Sequence, residues 1–402
     1  MYILVINVGS SSVKFTLYSR EHMRPTANGQ IDRIGLEAAT VHYRSGKGER
    51  IFPGADIADI NDGVNLISEL LTDPQAGVIA SEHEITVVGH RVVHGGEKMK
   101  AAVLIDEEVK STIRACFDLA PLHNPANLKG IEASEERFPR ALQVAVFDTA
   151  FHSTLPDNAY LYALPHELYE TDKIRRYGFH GTSHCYVSRR AAETLGRPLR
   201  DLKIVTCHLG NGCSITAVDG GRSVDTTMGF TPLEGLPMGT RCGDIDPAIL
   251  LYLMRQRDLS VDQLETLLNQ ESGFLGLGGI GTSDMRDIEA AMLEGDPGAR
   301  RVIDVFAYRI KKFIGAYAFA MGGLDSVVFT AGIGENSPLI RERVCAGLED
   351  YGIVVDEDRN HRPGGSIREI QHQGGRVRIL VIPTDEEKEI ASQALELVSG
   401  AT

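Results

Sequence analysis

The sequence predicts an α/β protein built from two copies of one strand–turn–strand unit with a cleft between the copies. Two matching segments and the chain length predict it. In the first segment, Lys203 to His208 is a short apolar strand, His208-Leu209-Gly210-Asn211-Gly212 a turn, Ser214 to Val218 a second strand and Asp219-Gly220 a hairpin signal. The second is the start of the chain, where Tyr2 to Ile6 is apolar, Asn7-Val8-Gly9-Ser10-Ser11-Ser12 turns, and Val13 to Tyr18 is a strand. Aligned on Gly9 and Gly210, Asn7 falls on His208, Ser10 on Asn211 and Ser11 on Gly212. The third observation is length: 402 residues exceed the size at which a single hydrophobic core stops growing.

Glycines let an anion approach such turns closely, and turn N–H groups can hold a phosphate without a Lys-bearing Walker loop. The formal charge is 41 minus 55, or −14, with no Lys or Arg run, so a nucleic-acid or acidic-membrane partner is not expected. Met1 to Ile6 is too short and lacks the basic flank of a signal peptide, and no apolar run approaches ~20 residues, so a cytoplasmic protein is expected. Six cysteines without a Cys-x-x-Cys pair point to free thiols. His90 with His94 and His180 with His184 have the spacing of helical metal ligands. The glycines around the second pair argue against a helix there, and no zinc-hydrolase Glu follows His180.

In chain order, strands and hairpins fill residues 1–53, a helix covers Asn61 to Leu71, and a buried strand runs from Ile85 to Val93 into His94-Gly95-Gly96. Asp106 N-caps a helix to about Phe117, Leu119 to Asn127 is a Pro-punctuated loop, and Leu142 to Phe147 is a strand that delivers Asp148 at its end. A loop-rich linker spans Phe151 to Tyr177, followed by helices near Ile245 to Arg255, Val261 to Asn269 and Arg301 to Met321. In the last, Val302, Val305, Phe306, Ile310, Phe313, Ile314, Tyr317 and Met321 form one stripe, which suits a core or a dimer face equally. Ser326 to Ala331 is a strand leading through Gly332-Ile333-Gly334-Glu335-Asn336 to a helix near Pro338, a turn suited to a nucleotide. The formal G-x-G-x-x-G at Gly276, Gly278 and Gly281 follows no convincing strand and is expected to be a flexible loop.

Six strings carry a resemblance: NVGSSSVK from Asn7, APLHNPANL from Ala120, VFDTAFH from Val146, RRYGFHGTSH from Arg175, the 208–247 stretch, and TAGIGENS from Thr330. On these the chain resembles the acetokinase family, within the sugar kinase and actin superfamily, from Tyr2 to about Ser392. Cys213 and Cys242 stand where the family usually has Ala or Ser, and Asp385 where it usually has Asn.

The resemblance implies duplicated ribonuclease H-like (actin-like ATPase) α/β domains with an interdomain active-site cleft. It places residues 1–150 plus 385–402 in the first domain and 151–384 in the second, the latter carrying nucleotide binding and dimerisation. It further implies a homodimer and reversible Mg²⁺-dependent transfer, with Mn²⁺ able to substitute, of the ATP γ-phosphoryl group to acetate, giving acetyl phosphate for acetyl-CoA formation. Propionate is the alternative acceptor. By family match, Arg91, Arg241, His180 and Asp148 are the catalytic candidates, and Asn7 and Glu386 hold the metal. Val93, Leu122, Phe179 and Pro232, with Arg91, form the acceptor pocket. Lys14, Ser12, His208, Leu209, Gly210, Asn211, Gly212, Asp284, Met285, Arg286, Gly332, Ile333, Gly334, Glu335 and Asn336 bind the nucleotide. Read without the family, Glu386 sits in a capping box, Thr384-Asp385-Glu386-Glu387, and Lys14 is equally a solvated strand lysine. A reading of another class, a nucleotide-switched module of the same fold, is disfavoured because two copies of the fold leave no chain for a peptide-binding domain.

Overall fold

The computed structural model describes residues 1–400. Two compact units divide it: Met1–Ser153 with the segment from Asp385 onward, and Thr154–Thr384.

The first unit is an eight-stranded sheet in the order β5-β4-β3-β2-β1-β6-β8-β7. Its strands are β1 (Tyr2–Val8), β2 (Ser12–Ser19), β3 (Pro25–Asp32), β4 (Ala39–Ser45), β5 (Gly48–Ala55), β6 (Ile85–Val92), β7 (Val103–Leu104) and β8 (Leu142–Phe147). The second unit is a six-stranded sheet in the order β11-β10-β9-β12-β14-β13. It comprises β9 (Lys203–Leu209), β10 (Cys213–Asp219), β11 (Arg222–Thr226), β12 (Ser326–Thr330), β13 (Arg368–Glu369) and β14 (Arg378–Val381).

The run β3-β2-β1-β6-β8 and the run β11-β10-β9-β12-β14 have the same order and the same strand senses. In each, two antiparallel pairings are followed by two parallel ones. The glycine of each turn closes it, through a bond three residues on in the first unit and two residues on in the second. Gly9 N–H donates to the Ser12 carbonyl at 2.7 Å, and Gly210 N–H to the Gly212 carbonyl at 3.1 Å. Asn7 pairs with Lys14 and His208 with Ser214 at equivalent register positions. The duplication expected from the two segments is therefore present in the topology.

Burial on both faces explains why β1 is apolar from Ile3 to Ile6. Leu4, Ile6 and Val8 face a core shared with Ile60, Val64, Ile67 and Leu71 of the helix Ile60–Thr72. Ile3 and Val5 face Ile390, Ala391, Ala394 and Val398 of the terminal helix Glu386–Gly400, which is why that distant segment belongs to the first unit. In the second unit, Val302, Phe306, Ile310, Ile314, Tyr317 and Met321 of the helix Pro297–Ala320 and its cap are buried, so much of the expected stripe is core; Val305 and Phe313 are half-buried.

Four expectations need correction. The segment expected as a loop to Asn127 becomes helical at Asn124 (Asn124–Arg137), since Pro125 fits the first helical turn, where its missing N–H is not needed. A helix does run through His184: it spans Gly181–Leu195 and starts immediately after His180, whose φ of 58° is left-handed. Its buried face carries Ser183, His184 and Ser188, so no apolar stripe announces it. The first half of the G-x-G-x-x-G match, Gly276 to Gly278, ends the short helix Gly273–Gly278, and the remainder follows it as non-helical chain. The glycine turn after β12 is itself helical, Ala331–Asn336, with Pro338–Cys345 following as a second helix.

Two buried histidines make the first unit sensitive to acid. Burial lowers the His90 pKa to about 4, even though the ring bonds Gln143 at 2.8 Å, and burial likewise takes His94 to about 4. Both folded values lie below the unfolded value near 6.5. Their stabilisation is therefore complete above pH 6.5 and lost as pH falls towards 4, by at most about 3 kcal/mol each. Urea unfolding at pH 7.0 and 5.5 should show a lower midpoint at pH 5.5, with a smaller difference for His90→Leu.

Candidate functional site

In the first unit, β1, β6 and β8 run parallel and end together, and the polar residues appear where the apolar strands stop. Arg91 lies on β6 and Asp148 just past β8. The Arg91 Nη2 donates to Asp148 Oδ2 at 2.6 Å, its Nε to Oδ1 at 3.2 Å, and its Nη1 to Asn7 Oδ1 on β1 at 3.4 Å. Asp148 is 1% exposed and Arg91 22%. Burial alone would lower the Arg91 pKa, but Asp148 and then Glu386 outweigh it and hold the pKa above the ordinary arginine value. The structure thus brings together Asn7, Arg91, Asp148 and the charge of Glu386.

The helix Asn124–Arg137 fixes this end of the sheet. Asn127 Oδ1 accepts from Val93 N–H at 3.1 Å while its Nδ2 donates to the Val8 carbonyl at 2.7 Å, tying β6 to β1. Asn124 brackets His94 in the same way, at 3.1 and 2.9 Å. Gly130 lets the helix close on β1, since a Cβ there would meet Val8 Cγ2 at 2.4 Å. Of the expected acceptor pocket, Val93 is buried and Leu122 is 72% exposed in this unit; Phe179 and Pro232 belong to the other.

Lys14 is exposed on β2. It lines a cavity of about 470 Å³ with Gln30, His42, Arg44, Asp385 and Glu387, whereas Ser12, at the start of β2, does not line it. At the terminal helix, the expected capping box is replaced by a simpler cap: Asp385 Oδ1 accepts from Lys388 N–H at 3.0 Å. Asp385 is as competent at this task as the usual Asn. Glu386 is left half-buried at the first helical position. Among the described residues there is no group of three or more His, Cys, Asp or Glu able to cage a metal. Asn7 and Glu386 fit a hard cation of the kind that keeps most of its waters and takes one or two protein oxygens.

In the second unit, a cavity of about 520 Å³ is lined by Gly210, Asn211, Asp284, Met285, Arg286, Gly332, Ile333 and Asn336 of the expected nucleotide residues, and by Ser283, Glu289 and Ser337. His208, Leu209, Gly212, Gly334 and Glu335 do not line it. Leu209 and Gly334 are buried beneath it, and the Glu335 carboxylate accepts from Thr384 N–H at 3.2 Å. Asp284 caps the helix Met285–Leu293 and is held at about pKa 2, chiefly by the Arg286 side chain. The turn Ala331–Asn336 is fixed by the fully buried Arg341. That side chain donates to the Gly334 carbonyl at 2.8 Å, the Glu335 carbonyl at 3.1 Å and Asn360 Oδ1 at 2.6 Å.

His180 and Arg241 both lie beside the Gly210–Gly212 turn. A Cβ on Gly212 would meet His180 Nε2 at 3.4 Å and Arg241 Nη1 at 3.8 Å, so Gly at this position keeps the space between them open. Arg241 Nη1 donates to the Pro232 carbonyl at 3.0 Å, and burial lowers its pKa. The segment carrying Pro232 and Arg241 is anchored by Arg176, which bonds Glu234 at 2.6 Å and the carbonyls of Thr226 and Thr227 at 2.8 and 2.9 Å; Tyr162 also donates to Glu234. His180 stacks on His208 at 4.2 Å between ring centres, and its Nδ1 lies 2.9 Å from Ser214 Oγ. Cys213 donates from Sγ to the Gly210 carbonyl at 3.1 Å and is pushed up to about pKa 12 by burial, so it is a packing residue rather than a thiolate.

Sequence reasoning missed Asn124, Asn127, Arg176, Ser214 and Arg341. The first four lie inside the distinctive strings, which was the available signal; Arg341 lies in ordinary helix sequence.

The chain was compared with known proteins. The model of the acetokinase family matches residues 2–392. The chain is 51% identical over 399 residues to an acetate kinase of Caldicellulosiruptor saccharolyticus, covering 99% of this chain and 100% of that one. It is 52% identical over 402 residues to an acetate kinase of Caldanaerobacter subterraneus subsp. tengcongensis, covering all of both. Its structure is similar to the crystal structure of Porphyromonas gingivalis acetate kinase (TM-score 0.94, 44% identity, 99% of both chains). It is also similar to that of a propionate kinase from Francisella tularensis (TM-score 0.91, 39% identity, 98% of this chain and 99% of that).

Replacing Arg341 by Ala should remove the donor from the Gly334 carbonyl and from both Asn360 oxygens, while the Glu335 carbonyl keeps Arg368, and lower stability by about 3 kcal/mol, read as a drop in the urea midpoint.

Proposed function

The chain belongs to the acetokinase family, and from that premise we propose that it transfers the γ-phosphoryl group of ATP to acetate, reversibly, giving acetyl phosphate and ADP. The observation that carries this is identity above 50% to acetate kinases along essentially the whole chain. The geometry of each unit supports it.

A carboxylate acceptor is ionised at neutral pH and needs no general base. One acetate oxygen forms the new O–P bond in line as the bond from the γ-phosphorus to the bridging oxygen breaks, and that electron pair leaves with ADP; no proton is lost. Catalysis then rests on alignment and on neutralising charge at the phosphoryl oxygens. Asp148 suits this chemistry because its carboxylate is committed to Arg91. It acts by orienting the guanidinium, leaving the outer N–H groups for the acceptor carboxylate or the transferring group. In the second unit, Arg241 and His180 supply donors beside the Gly210–Gly212 turn, and the 520 Å³ cavity holds the nucleotide. The resident cation is Mg²⁺, held through Asn7 and Glu386; when bound it neutralises phosphate charge. Val93, buried just past β6, is the apolar contact we propose for the acceptor methyl, where one added methylene changes discrimination by only ~1–3 kcal/mol, so propionate is a slower substrate.

We also propose a homodimer formed through the helix Ala248–Arg257. None of its residues is buried, and Ile249, Leu251, Tyr252 and Met254 are exposed on it, more apolar surface than a solvated helix needs.

Trapping acyl phosphate with hydroxylamine should give signal in the order acetate, propionate, butyrate. Arg91→Ala should lower kcat by roughly 10²–10³-fold, and it should also lower the unfolding midpoint, because the buried Asp148 carboxylate loses its partner. Absence of hydroxamate with every acid would sink the assignment. Light scattering should give a dimer mass for the native chain and a monomer mass for Leu251→Glu.

A further inference from the structure

His180 lies at the end of a hydrogen-bonded chain that joins the string from Arg175 to the 208–247 stretch through β9. Its Nδ1 is 2.9 Å from Ser214 Oγ; the same Oγ is 2.7 Å from His184 Nε2; and His184 Nδ1 is 2.7 Å from Thr206 Oγ1. Ser214, His184 and Thr206 are all fully buried. The secondary structure fixes the set. His184 is in the first turns of the helix Gly181–Leu195 packed on β9, Thr206 is on β9, and Ser214 is on β10 opposite His208.

The proton inventory constrains this chain. Ser214 has one hydroxyl proton and lies between two imidazole nitrogens, so it donates to one ring and accepts from the other. The tautomers of His180 and His184 are therefore coupled. Thr206 sets the far end of the chain, with its Oγ1 2.7 Å from His184 Nδ1 and 3.4 Å from the Thr216 carbonyl. These contacts allow two arrangements, one with the Thr206 proton on His184 Nδ1 and one with Nδ1–H donating to Thr206 and Thr206 to the Thr216 carbonyl; the first is the one that leaves a proton on the His180 nitrogen facing the Gly210–Gly212 turn, and it is the one adopted here. With the Thr206 proton on His184 Nδ1, His184 carries its own proton on Nε2 and donates to Ser214, and Ser214 donates to His180 Nδ1. The remaining proton of a neutral His180 is then on Nε2, the nitrogen that faces the Gly210–Gly212 turn. A neutral ring also avoids a second positive charge beside Arg241 and against the stacked His208.

We propose that Ser214 is a positioning residue: oriented by Thr206 through His184, its hydroxyl fixes His180 in the Nε2–H form, so that the ring donates to a phosphoryl oxygen as a neutral imidazole. This deepens the proposed phosphotransfer and rests on it for the identity of the acceptor oxygen. The tautomer itself does not depend on the reaction.

The deciding experiment is imidazole ¹⁵N NMR of the full chain at pH 8, with the His180 and His184 signals assigned by their loss in His180→Gln and His184→Gln. Both rings are expected as neutral Nε2–H tautomers; an Nδ1–H form or a doubly protonated ring at His180 would overturn the proposal. Ser214→Ala is expected to lower kcat on the order of 10- to 100-fold while KM for acetate and ATP changes less than about twofold, because the donor is misoriented but the binding groups remain. An unchanged kcat, with the variant folded by circular dichroism, would equally overturn it. If the variant does not fold, the native spectrum still decides. If the hydroxylamine trap shows no acyl transfer while the tautomers are as expected, it is the proposed function that fails.

Discussion

The rest of the structure depends on one constraint, the burial of the leading strand of each unit on both faces. β1 and β9 pair with an antiparallel neighbour on one side and a parallel one on the other, with helices above and below. A strand so placed tolerates few polar side chains along its length, so chemistry is displaced to its end, where the chain turns. Asn7 and Lys14 in the first unit, and His208 and Ser214 in the second, occupy matching register positions at that end. The turn is tight at Gly9, where a Cβ would come within 2.9 Å of Ser12 Oγ, whereas at Gly210 and Gly212 a Cβ would meet its neighbours no nearer than 3.4 Å.

The two copies use the same position differently. In the first unit the strand ends carry a charged cluster in which Arg91 is gripped by Asp148 and steadied by Asn7. The guanidinium stays charged under burial because its partner is nearly inaccessible to water. In the second unit the equivalent position is a hydrogen-bonded network of His180, His184, His208, Ser183 and Ser214. The first cluster carries fixed charge, and the second is built of hydroxyls and imidazoles.

Buried side chains that bridge backbone groups give these sites their rigidity. Asn127 joins β1 to β6, Arg176 holds the segment leading to Pro232 and Arg241, and Arg341 holds the turn after β12. Each satisfies carbonyl or amide groups that irregular backbone would otherwise bury unpaired.

The sequence by itself determined the duplicated architecture, because apolar runs ending in glycine turns follow from backbone conformation and burial, which are local properties. It also placed Arg91, Asp148 and Arg241 at strand ends or in turns, and identified the family through long strings. Only the tertiary structure decided which residues meet. The Arg91–Asp148 pair spans 57 positions and the Asn127 bridge 119, separations no periodicity encodes. The helices Asn124–Arg137 and Gly181–Leu195 escaped the pattern for a related reason. Their buried faces carry Asn, Ser, His and Gly that bond or clear space for other strands, so the apolar stripe that marks a helix was never written into them. Polar residues chosen for distant partners become legible only once the fold has supplied those partners.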